Sequence, residues 1–464
     1  MVMRLATTVA AAIVATAPVP PNALNTTNPD SIRNVAATIA HDAMGYYKGN
    51  VSKNEIDVGD VQDPYYWWVA GALWGAMLDY YYYTRDPTYN DVVLQALLAP
   101  VNVGANHDYT PKARELEEGN DDLFFWGSAV LSAAERNFPQ PDKSLPSWLD
   151  LGANIFNALV SRWDPSTCAG GLQWQIYPSN PNGMHYKNSV SNGGLFQLAA
   201  RMARATNNDT YLEWATRVWN WSAGVGFIDP DKFHVYDGAD SRKNCSETNY
   251  HSFTYTSGIY LYGAAILADH TGDRVWTTRA ENLLKGAGWF FSPFENSTVM
   301  YEAACETVNA CTADMTTFKG YLSRFMWQSV KLVPSLRDGV EKLLFPSAKA
   351  AAVSCSGGVD GHSCGQRWYV HGFDGVTGLG QQMCALETIQ GLLIDDVDPP
   401  LKGDKIKVVR DTKWVALGGA SKTGHDGPTK TGKPQPTETE DSASVASASF
   451  GLMLMSLPAL LLIL

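Results

Sequence analysis

The sequence predicts an all-α fold, an (α/α)6 barrel of six inner and six outer helices. Between about residues 31 and 395, helical patterns alternate with loops rich in Gly, Pro and Asn, and hardly any segment shows strand-like alternation. Helical segments that are apolar on nearly every face alternate with amphipathic ones, at intervals of about sixty residues. Since helices that are apolar all round are buried, this alternation indicates helical hairpins closed into a ring.

The buried series would form the inner ring, and the amphipathic series would form the outer ring. The inner helices are predicted at residues 65–83, 121–136, 190–205, 253–270, 316–332 and 379–394. The outer helices are predicted at residues 31–47, 88–98, 147–163, 210–224, 274–290 and 335–352. An open helical solenoid is the alternative, but the buried series lacks the polar face that a solenoid would expose. In a closed ring, the loops that lead into the inner helices meet at one end of the barrel. We expect the functional site at that end.

The N-terminal segment has the layout of a secretory signal. Arg4 precedes an apolar run that ends in small residues near position 17, and prolines follow directly. The run is too short to span a bilayer, which takes roughly 20 apolar residues. We therefore expect residues 1–23 to be removed and the barrel to occupy residues 24–398.

The C-terminal segment has the order of a GPI-attachment signal. Apolar periodicity ends near residue 398, so residues 399–442 are predicted to form a flexible stalk. A polar stretch then leads into a charge-free tail at residues 450–464, as such a signal requires. A transmembrane anchor is the alternative, but the tail is too short for one. We expect attachment at Ser442, removal of residues 443–464, and a secreted protein held at the outer face of the plasma membrane or in the cell wall.

Sequons and cysteines agree with passage through the secretory pathway. The sequons lie at Asn25, Asn50, Asn208, Asn220, Asn244 and Asn296. Among many possible connectivities, we predict the disulfides Cys168–Cys245, Cys305–Cys311 and Cys355–Cys364, which leave Cys384 unpaired. A zinc set of Cys355, His362, Cys364 and His371 is the alternative, but oxidation competes for the thiolates. We predict no metal and no cofactor.

Composition and motif content exclude several classes of function. The net charge of −12 repels nucleic acid and anionic lipid, and no basic stripe is present. A serine hydrolase is also excluded, because the chain has no Gly-x-Ser-x-Gly elbow and its scattered histidines give no triad order. We expect a monomer with no nucleic-acid partner.

Two adjacent carboxylates, Asp121 and Asp122, stand at the start of the second inner helix. Asp is also favoured there as a helix cap, so the pair alone could be structural. Aromatic residues follow the pair and also lie at residues 65–68, as a sugar-binding cleft requires. Neighbouring side chains at a helix start reach only the separation of about 5 Å that suits retention of configuration. We predict Asp121 as the nucleophile and Asp122 as the acid/base, since like charges this close cannot both ionise easily.

The Asn-Asp-Asp-x-x-x-Trp segment that begins at Asn120 resembles glycoside hydrolase family 76, the endo-α-1,6-mannanases. Further matching segments lie at residues 170–175, 187–193 and 318–324, and the chain is most similar to fungal GPI-anchored wall proteins of this family. The resemblance implies an (α/α)6 barrel and a retaining mechanism on α-mannosides through a mannosyl-enzyme. For fungal members it implies transfer, in which an α-1,6-mannose-containing glycan, mannan or a GPI core, is the donor and wall β-glucan is the acceptor.

Ten further residues are predicted to bind mannose hydroxyls or a glycan phosphate. They are Asp63, Trp67, Asn120, Trp126, Asn188, Asn192, Tyr255, Lys319, Arg324 and Asp374. Polar side chains at helix starts could instead cap the helix or pair within the wall. Lys319 and Arg324 are expected to hold a carboxylate or a substrate phosphate, because a buried cation needs an anionic partner. The alternative function is a wall protein that binds mannan or GPI glycan with weak catalysis, and the intact Asp pair argues against it.

Overall fold

The computed structural model describes residues 19–180, 183–291 and 298–414. The α-helices of these residues are α1 (Pro29–Met44), α2 (Trp67–Thr84), α3 (Asn90–Leu98), α4 (Pro100–Val103), α5 (Asn120–Glu135), α6 (Trp148–Ser161), α7 (Ser189–Thr206), α8 (Asp209–Gly224), α9 (Thr254–Thr271), α10 (Arg274–Ala287), α11 (Phe318–Val330), α12 (Arg337–Ser354) and α13 (Leu379–Gln390). Helices α2, α5, α7, α9, α11 and α13 pack each against the next, and α13 returns to α2. The ring is therefore closed, and the predicted all-α (α/α)6 barrel is confirmed.

Helix periodicity explains which helices lie inside. In α2 every residue except Tyr81 is buried, so this helix contacts neighbours on all sides. Helix α10 buries one stripe instead, at the spacing of a helix with one apolar face; its members are Trp276, Ala280, Leu283, Leu284, Gly286 and Ala287. All twelve predicted helices are present, with ends displaced by at most four residues. The one-turn helix α4, which starts at Pro100, was not predicted.

A small antiparallel sheet lies at the end of the barrel where the inner helices begin, called here the mouth. Its strands are β1 (Tyr186–Asn188), β2 (Gly238–Asp240) and β3 (Thr248–Asn249), in the order β1-β2-β3. Lys187 pairs with Ala239, and Gly238 pairs with both Asn188 and Asn249. Strands of two or three residues are too short to show alternation, so they were not predicted.

The opposite, closed end of the barrel contains buried charges, called here the axial cluster: Asp79, Arg136, Arg324 and Glu387. Arg324 Nε lies 2.6 Å from Asp79 Oδ2, and Arg136 also pairs with Asp79. Arg324 also donates to the Ser132 hydroxyl at 3.1 Å. A charge deep in a helical barrel needs ion-pair and hydrogen-bond partners. Asp79 is the ion-pair partner of both arginines, and the Gln328 side chain donates to Asp79 at 3.1 Å.

All three predicted disulfides are present. They join Cys168 to Cys245, Cys305 to Cys311 and Cys355 to Cys364, with Cα–Cα distances of 5.5, 4.8 and 3.6 Å. Cys384 is unpaired and buried, as predicted. Because Cys355 and Cys364 are bonded to each other, the alternative zinc set is excluded.

The terminal signals and one sequon lie outside the described residues. They are the predicted signal segment up to residue 18, the predicted attachment site Ser442 with the tail predicted to be removed, and the sequon at Asn296. The other five sequon asparagines are exposed, as glycan attachment requires, and their glycosylation stays a prediction. Within residues 19–414, as far as they are described, every helix falls short of the length and apolarity needed to cross a membrane.

Residues 399–414 form a strap across the closed end. This corrects the prediction that a flexible stalk begins at residue 399. The Leu401 N–H donates to Glu135 O at 2.8 Å, and the Gln140 N–H donates to Val409 O at the same distance. Trp414 packs on Phe138 with ring centroids 5.0 Å apart. Hydrogen bonds hold much of the strap, some between backbone groups and others from side chains such as Asn137 and Arg410, and such bonds leave no apolar periodicity in the sequence.

We expect Trp414→Ala to lower the free energy of unfolding by about 1–2 kcal/mol, because the half-buried indole loses its packing and its hydrogen bond to Asp91 Oδ1. Chemical denaturation of the two proteins measures the difference. The matched control is Val408→Ala on the same strap, whose side chain is exposed and should change stability by less than about 0.5 kcal/mol. Equal effects of both substitutions would contradict the role assigned to Trp414.

Candidate active site

The two predicted catalytic aspartates occupy the first turn of α5, after the N-cap Gly119 and the first helical residue Asn120. Asp122 Oδ2 accepts a hydrogen bond from the Gly119 N–H at 2.5 Å and so caps the helix. A Cβ on Gly119 would overlap Asp121 Oδ1 and lie 2.9 Å from Asp122 Oδ2, so glycine is required here. Both oxygens lie within 2.9 Å of one point and are therefore less than twice that distance, 5.8 Å, apart. This upper limit is shorter than the roughly 6.5–9.5 Å that inverting glycosidases need and is compatible with the shorter separation of retaining ones.

Burial and mutual repulsion change the pKa values of the two carboxyls. Burial, and then the negative charge of Asp121, hold the pKa of Asp122 well above its ordinary value. Burial also raises the pKa of Asp121, but hydrogen bonds from the backbone of Asp121 and Asp122 and from the Trp174 side chain oppose that rise. Asp121 therefore ionises first, and the pair then holds one proton on Asp122. This is the state that a nucleophile and an acid need.

Aromatic rings line the site beside the pair. Trp68 and Phe125 lie with ring centroids 4.4 Å apart, and Tyr255 stacks on Phe318 at 3.8 Å with nearly parallel planes. The charge of Asp121 contributes to a raised pKa of the Tyr255 hydroxyl, which places this predicted binding residue at the site. Flat apolar faces beside carboxylates are suited to the C–H surfaces of a sugar.

Asp314 is a third carboxylate at the site, and the sequence analysis missed it. It lies in the loop before α11 and accepts a hydrogen bond from Trp68 Nε1 at 3.0 Å. Its charge raises the pKa of both Asp121 and Asp122. The sole sequence signal was its position just before an inner helix, which many other polar residues share.

Three predicted binding residues lie behind the site and hold its backbone. Asn188 caps α7 by accepting from the Ser191 N–H. Asn192 binds both the N–H and the carbonyl of Leu172, at 2.8 and 3.1 Å. Asn120 donates to Gln173 O at 2.9 Å. These bonds join the segments around residues 170–175 and 187–193, whereas Asn120 Oδ1 is buried without a hydrogen-bond partner among the described residues.

Two predicted tryptophans face away from the site. Trp67 and Trp126 stack on each other with centroids 4.8 Å apart, and both are almost fully buried between α2 and α5. Trp67 donates to Asn102 Oδ1 at 3.0 Å. The neighbouring Trp68 is the residue that contacts Asp314. The prediction of Trp67 as a binding residue was wrong by one position. A shift of one position turns a side chain by about 100° around a helix.

Lys319 and Arg324 also lie inside the protein wall. Lys319 Nζ is 2.8 Å from Glu306 Oε1 and 3.9 Å from the centroid of Trp368, while Arg324 belongs to the axial cluster. Each cation has a protein carboxylate as its partner. This is one of the two predicted partners, the other being a substrate phosphate. The predicted contact with a substrate phosphate is therefore corrected, because both cations are neutralised within the fold.

The last two predicted residues lie in loops. Asp374 pairs with Arg367 at 2.8 Å and accepts from the backbone of Gln366, so it organises the loop before α13. Asp63 is exposed in the loop before α2. The structure does not bring either into contact with the aspartate pair.

One group in the described part of the chain has the spacing of a metal site. It consists of Asp42, Asp360 and His362, and it includes neither Asp121 nor Asp122. Exposed acidic groups are common without an ion.

We expect Asp314→Asn to move the pH–rate profile to lower pH. A negative charge at this position favours the protonated forms of Asp121 and Asp122, so its removal lowers both pKa values. The shift should be roughly half a pH unit to one unit, and it should be clearest on the basic side, where Asp314 is ionised. Measuring kcat/KM against pH tests this. Asp404→Asn, on the strap at the closed end, should leave the profile unchanged; an unshifted Asp314→Asn profile would contradict the expectation.

Comparison with known proteins assigns the class to which this fold and this pair of carboxylates belong. Residues 31–404 match the model of glycosyl hydrolase family 76, so the chain belongs to that family and is a glycoside hydrolase. The resemblance seen in the sequence is thereby confirmed.

Individual relatives show which members of this family the chain resembles. The chain is 47% identical over 365 residues to mannan endo-1,6-alpha-mannosidase DCW1 of Eremothecium gossypii, covering 78% of this chain and 79% of that protein. It is 43% identical over 383 residues to mannan endo-1,6-alpha-mannosidase DFG5 of Saccharomyces cerevisiae, covering 82% of each. The crystal structure of Dfg5 from Chaetomium thermophilum in complex with glucosamine has a TM-score of 0.78 and 38% identity, covering 82% of this chain and 95% of that one. An inactive α-1,6-mannanase variant of Salegentibacter, in complex with α-1,6-mannotriose, shares the fold with a TM-score of 0.61 at 20% identity, over 78% of this chain and 99% of that one.

Proposed function

We propose that this chain is a retaining endo-α-1,6-mannosidase that passes the mannosyl group it releases to another sugar. The observation that carries the proposal is the carboxylate pair, buried at an aromatic-lined mouth, with the two oxygens less than 5.8 Å apart and the pKa of Asp122 held above that of Asp121. The names of the fungal relatives support α-1,6-linked mannose as the substrate.

In the first step, an Asp121 carboxylate oxygen attacks the anomeric carbon of the bound mannose. The bond from that carbon to the glycosidic oxygen breaks, and the Asp122 proton moves to the departing oxygen. The product is a mannosyl ester of Asp121. Asp121 Oδ1 has no hydrogen-bond partner among the described residues, so its lone pairs are not committed within the protein.

In the second step, Asp122 acts as a base. Its carboxylate takes the proton of an acceptor hydroxyl, the acceptor oxygen bonds to the anomeric carbon, and Asp121 leaves as a carboxylate. The configuration is inverted twice and therefore retained. Water or a sugar fits this step equally well, since both supply a hydroxyl.

We infer that the donor is an α-1,6-mannose-containing glycan, mannan or a GPI core, and that wall β-glucan is the acceptor. The transfer would move GPI-anchored proteins onto the wall. The terminal signals in the sequence support a secreted monomer that is held by a GPI anchor at the outer face of the plasma membrane, where both sugars are found. A glucosamine complex of the Chaetomium relative agrees with a site that accepts sugars other than mannose.

The experiment is to incubate the full chain with end-labelled α-1,6-mannotetraose, with and without a β-1,3-glucan oligosaccharide. NMR of the first product should show the α-anomer, and mass spectrometry should show the labelled mannosyl group on the glucan. A β-anomer as first product would overturn the retaining mechanism. Cleavage without transfer would overturn the glucan acceptor, and tight binding without cleavage would favour the alternative, a glycan-binding wall protein.

A further inference from the structure

We propose that Glu302, a buried carboxyl outside the aspartate pair, is a positioning residue for glycan binding. It holds Thr254 at the start of α9 and thereby fixes the ring and the hydroxyl of Tyr255 at the mouth. The inference rests on the proposed function, since it takes Tyr255 as a residue that hydrogen-bonds a hydroxyl of the bound glycan. Because Glu302 is fully buried, it acts through Tyr255 and does not touch the sugar.

Tyr255 lies in the first turn of α9, beside two other rings of the mouth. Phe318, the first residue of α11, stacks on it with centroids 3.8 Å apart and planes 5° from parallel. Phe125 lies 6.3 Å away with planes 12° apart, and it follows Asp121 by about one turn of α5. The Tyr255 hydroxyl makes no hydrogen bond to any described residue, so it is uncommitted within the protein.

Glu302 supplies the N-terminal cap that α9 lacks in its own sequence. The residue before the helix is Phe253, whose side chain makes no capping hydrogen bond. Glu302 Oε2 accepts from the Thr254 N–H at 3.1 Å and from the Thr254 hydroxyl at 2.5 Å, both in the buried interior. Glu302 Oε1 has no partner among the described residues. The hydrogen bonds of this carboxyl therefore all go to the residue that precedes Tyr255.

The turn that carries Glu302 is itself fixed in place. The Glu306 N–H donates to Glu302 O at 3.0 Å, which closes one turn of chain between the two residues. The disulfide Cys305–Cys311 then joins the end of this turn to the following loop. A carboxyl on a turn that is closed in both ways holds Thr254 in one position.

The same turn also holds the start of α11. Glu306 Oε1 lies 2.8 Å from Lys319 Nζ and accepts from Gln366 Nε2 at 3.2 Å. Lys319 directly follows Phe318, the ring that stacks on Tyr255. One buried turn thus bonds a neighbour of each stacked ring and sets the distance between the two helix starts. Binding groups must be held within roughly 0.5 Å of their productive positions, and these bonds provide that constraint.

The test is the affinity of full-chain variants for α-1,6-mannotetraose, measured by calorimetry in the Asp121→Asn background so that the ligand is not cleaved. Tyr255→Phe should weaken binding about three- to tenfold, the range of one neutral hydrogen bond. Glu302→Ala should weaken it by a similar factor, because Thr254 loses its partner. Burial raises the pKa of Glu302 to about 8, so the native group is uncharged near neutral pH. Glu302→Gln should therefore keep the affinity within about twofold, since an amide oxygen accepts the same two bonds.

A double-mutant cycle separates positioning of Tyr255 from a general loss of structure. If Glu302 acts through the Tyr255 hydroxyl, adding Glu302→Ala to Tyr255→Phe should weaken binding by less than about twofold further. Should Glu302→Ala fold poorly, Thr254→Val takes its place in the cycle, because it removes the hydroxyl that donates to Glu302 and keeps the side-chain shape. Independent effects, in which the two factors multiply, would overturn the inference. Native affinity in a folded Glu302→Ala protein would overturn it as well.

The matched control is Tyr260→Phe, also on α9, which removes a buried hydrogen bond of 2.8 Å between Tyr260 and Ser222. It should lower stability and leave the affinity within about twofold of native. A loss of affinity as large as that of Glu302→Ala would show that any weakening of α9 impairs binding, which would overturn the inference. The proposed function fails separately, if the native full chain does not cleave α-1,6-mannotetraose.

Discussion

Asp122→Asn should lower the rate of mannoside cleavage by roughly 10²–10⁴-fold, because the leaving oxygen loses its proton donor. Asp121→Asn should lower it further, since an amide cannot form the covalent mannosyl ester. Initial rates on α-1,6-mannotetraose measure both effects. Native rates in both variants would show that neither aspartate takes part in the reaction.

An aryl leaving group of low pKa separates the two roles. It departs without a proton, so the Asp122→Asn enzyme should still form the mannosyl-enzyme and accumulate it, visible by mass spectrometry as a covalent adduct. The Asp121→Asn enzyme should form no adduct. An adduct on Asp121→Asn alone would reverse the assignment of roles.

Asp150→Asn on α6 is the matched control for helix capping. The Asp150 carboxylate accepts from the Ser147 N–H and completes a capping box in the way that Asp122 does at α5. If the aspartates at helix starts act as caps alone, all three variants should behave alike. We expect Asp150→Asn to lose a little stability and no activity.

Asp79→Asn should lower the free energy of unfolding by about 3–5 kcal/mol. Asp79 is fully buried and pairs with Arg324 and Arg136, so its neutralisation leaves cations in a low-dielectric interior. Denaturant unfolding of native and variant protein measures the loss. This is the largest stability effect that we expect from a single substitution in this chain.

The control is Glu247→Gln, which breaks an exposed pair with Lys243 and should cost at most about 1 kcal/mol. Glu387, the second carboxylate of the axial cluster, is the group that could compensate for Asp79. Burial and the charge of Asp79 raise its pKa, so removal of Asp79 favours its ionisation beside Arg324. A loss below about 1 kcal/mol in Asp79→Asn would show that Glu387 takes over the pairing.

The barrel could be predicted because its pattern repeats. An inner helix such as α2 is apolar all round and an outer helix such as α10 has one apolar stripe, and both patterns are local properties of the sequence. The aspartate pair could be predicted because two carboxylates and the following aromatics are adjacent in the chain. Short loops favoured two of the disulfides, Cys305–Cys311 and Cys355–Cys364, whereas Cys168–Cys245 was one choice among many connectivities.

The remaining site residues could not be predicted, because their partners are distant in sequence. Asp314 reaches the pair only after the ring closes, and the Arg324 guanidinium finds Asp79 on a helix far earlier in the chain. A helix-start position also fails to distinguish a residue that faces the mouth from one that caps the helix, as Asn188 does. To choose between Trp67 and Trp68, one must know how α2 is rotated about its axis. The sequence of a helix that is buried on nearly every side does not show this rotation.

The strap at residues 399–414 has a mechanical consequence. A tether attached beyond Trp414 would pull on the C-terminal ends of the inner helices, where Leu401 and Val409 are bonded to the barrel. The load would fall on these backbone hydrogen bonds and on the Trp414 contact, and not on the loops that carry the aspartates. A force applied at Trp414 would therefore reach the strap before it reached the first turn of α5, where the two aspartates lie.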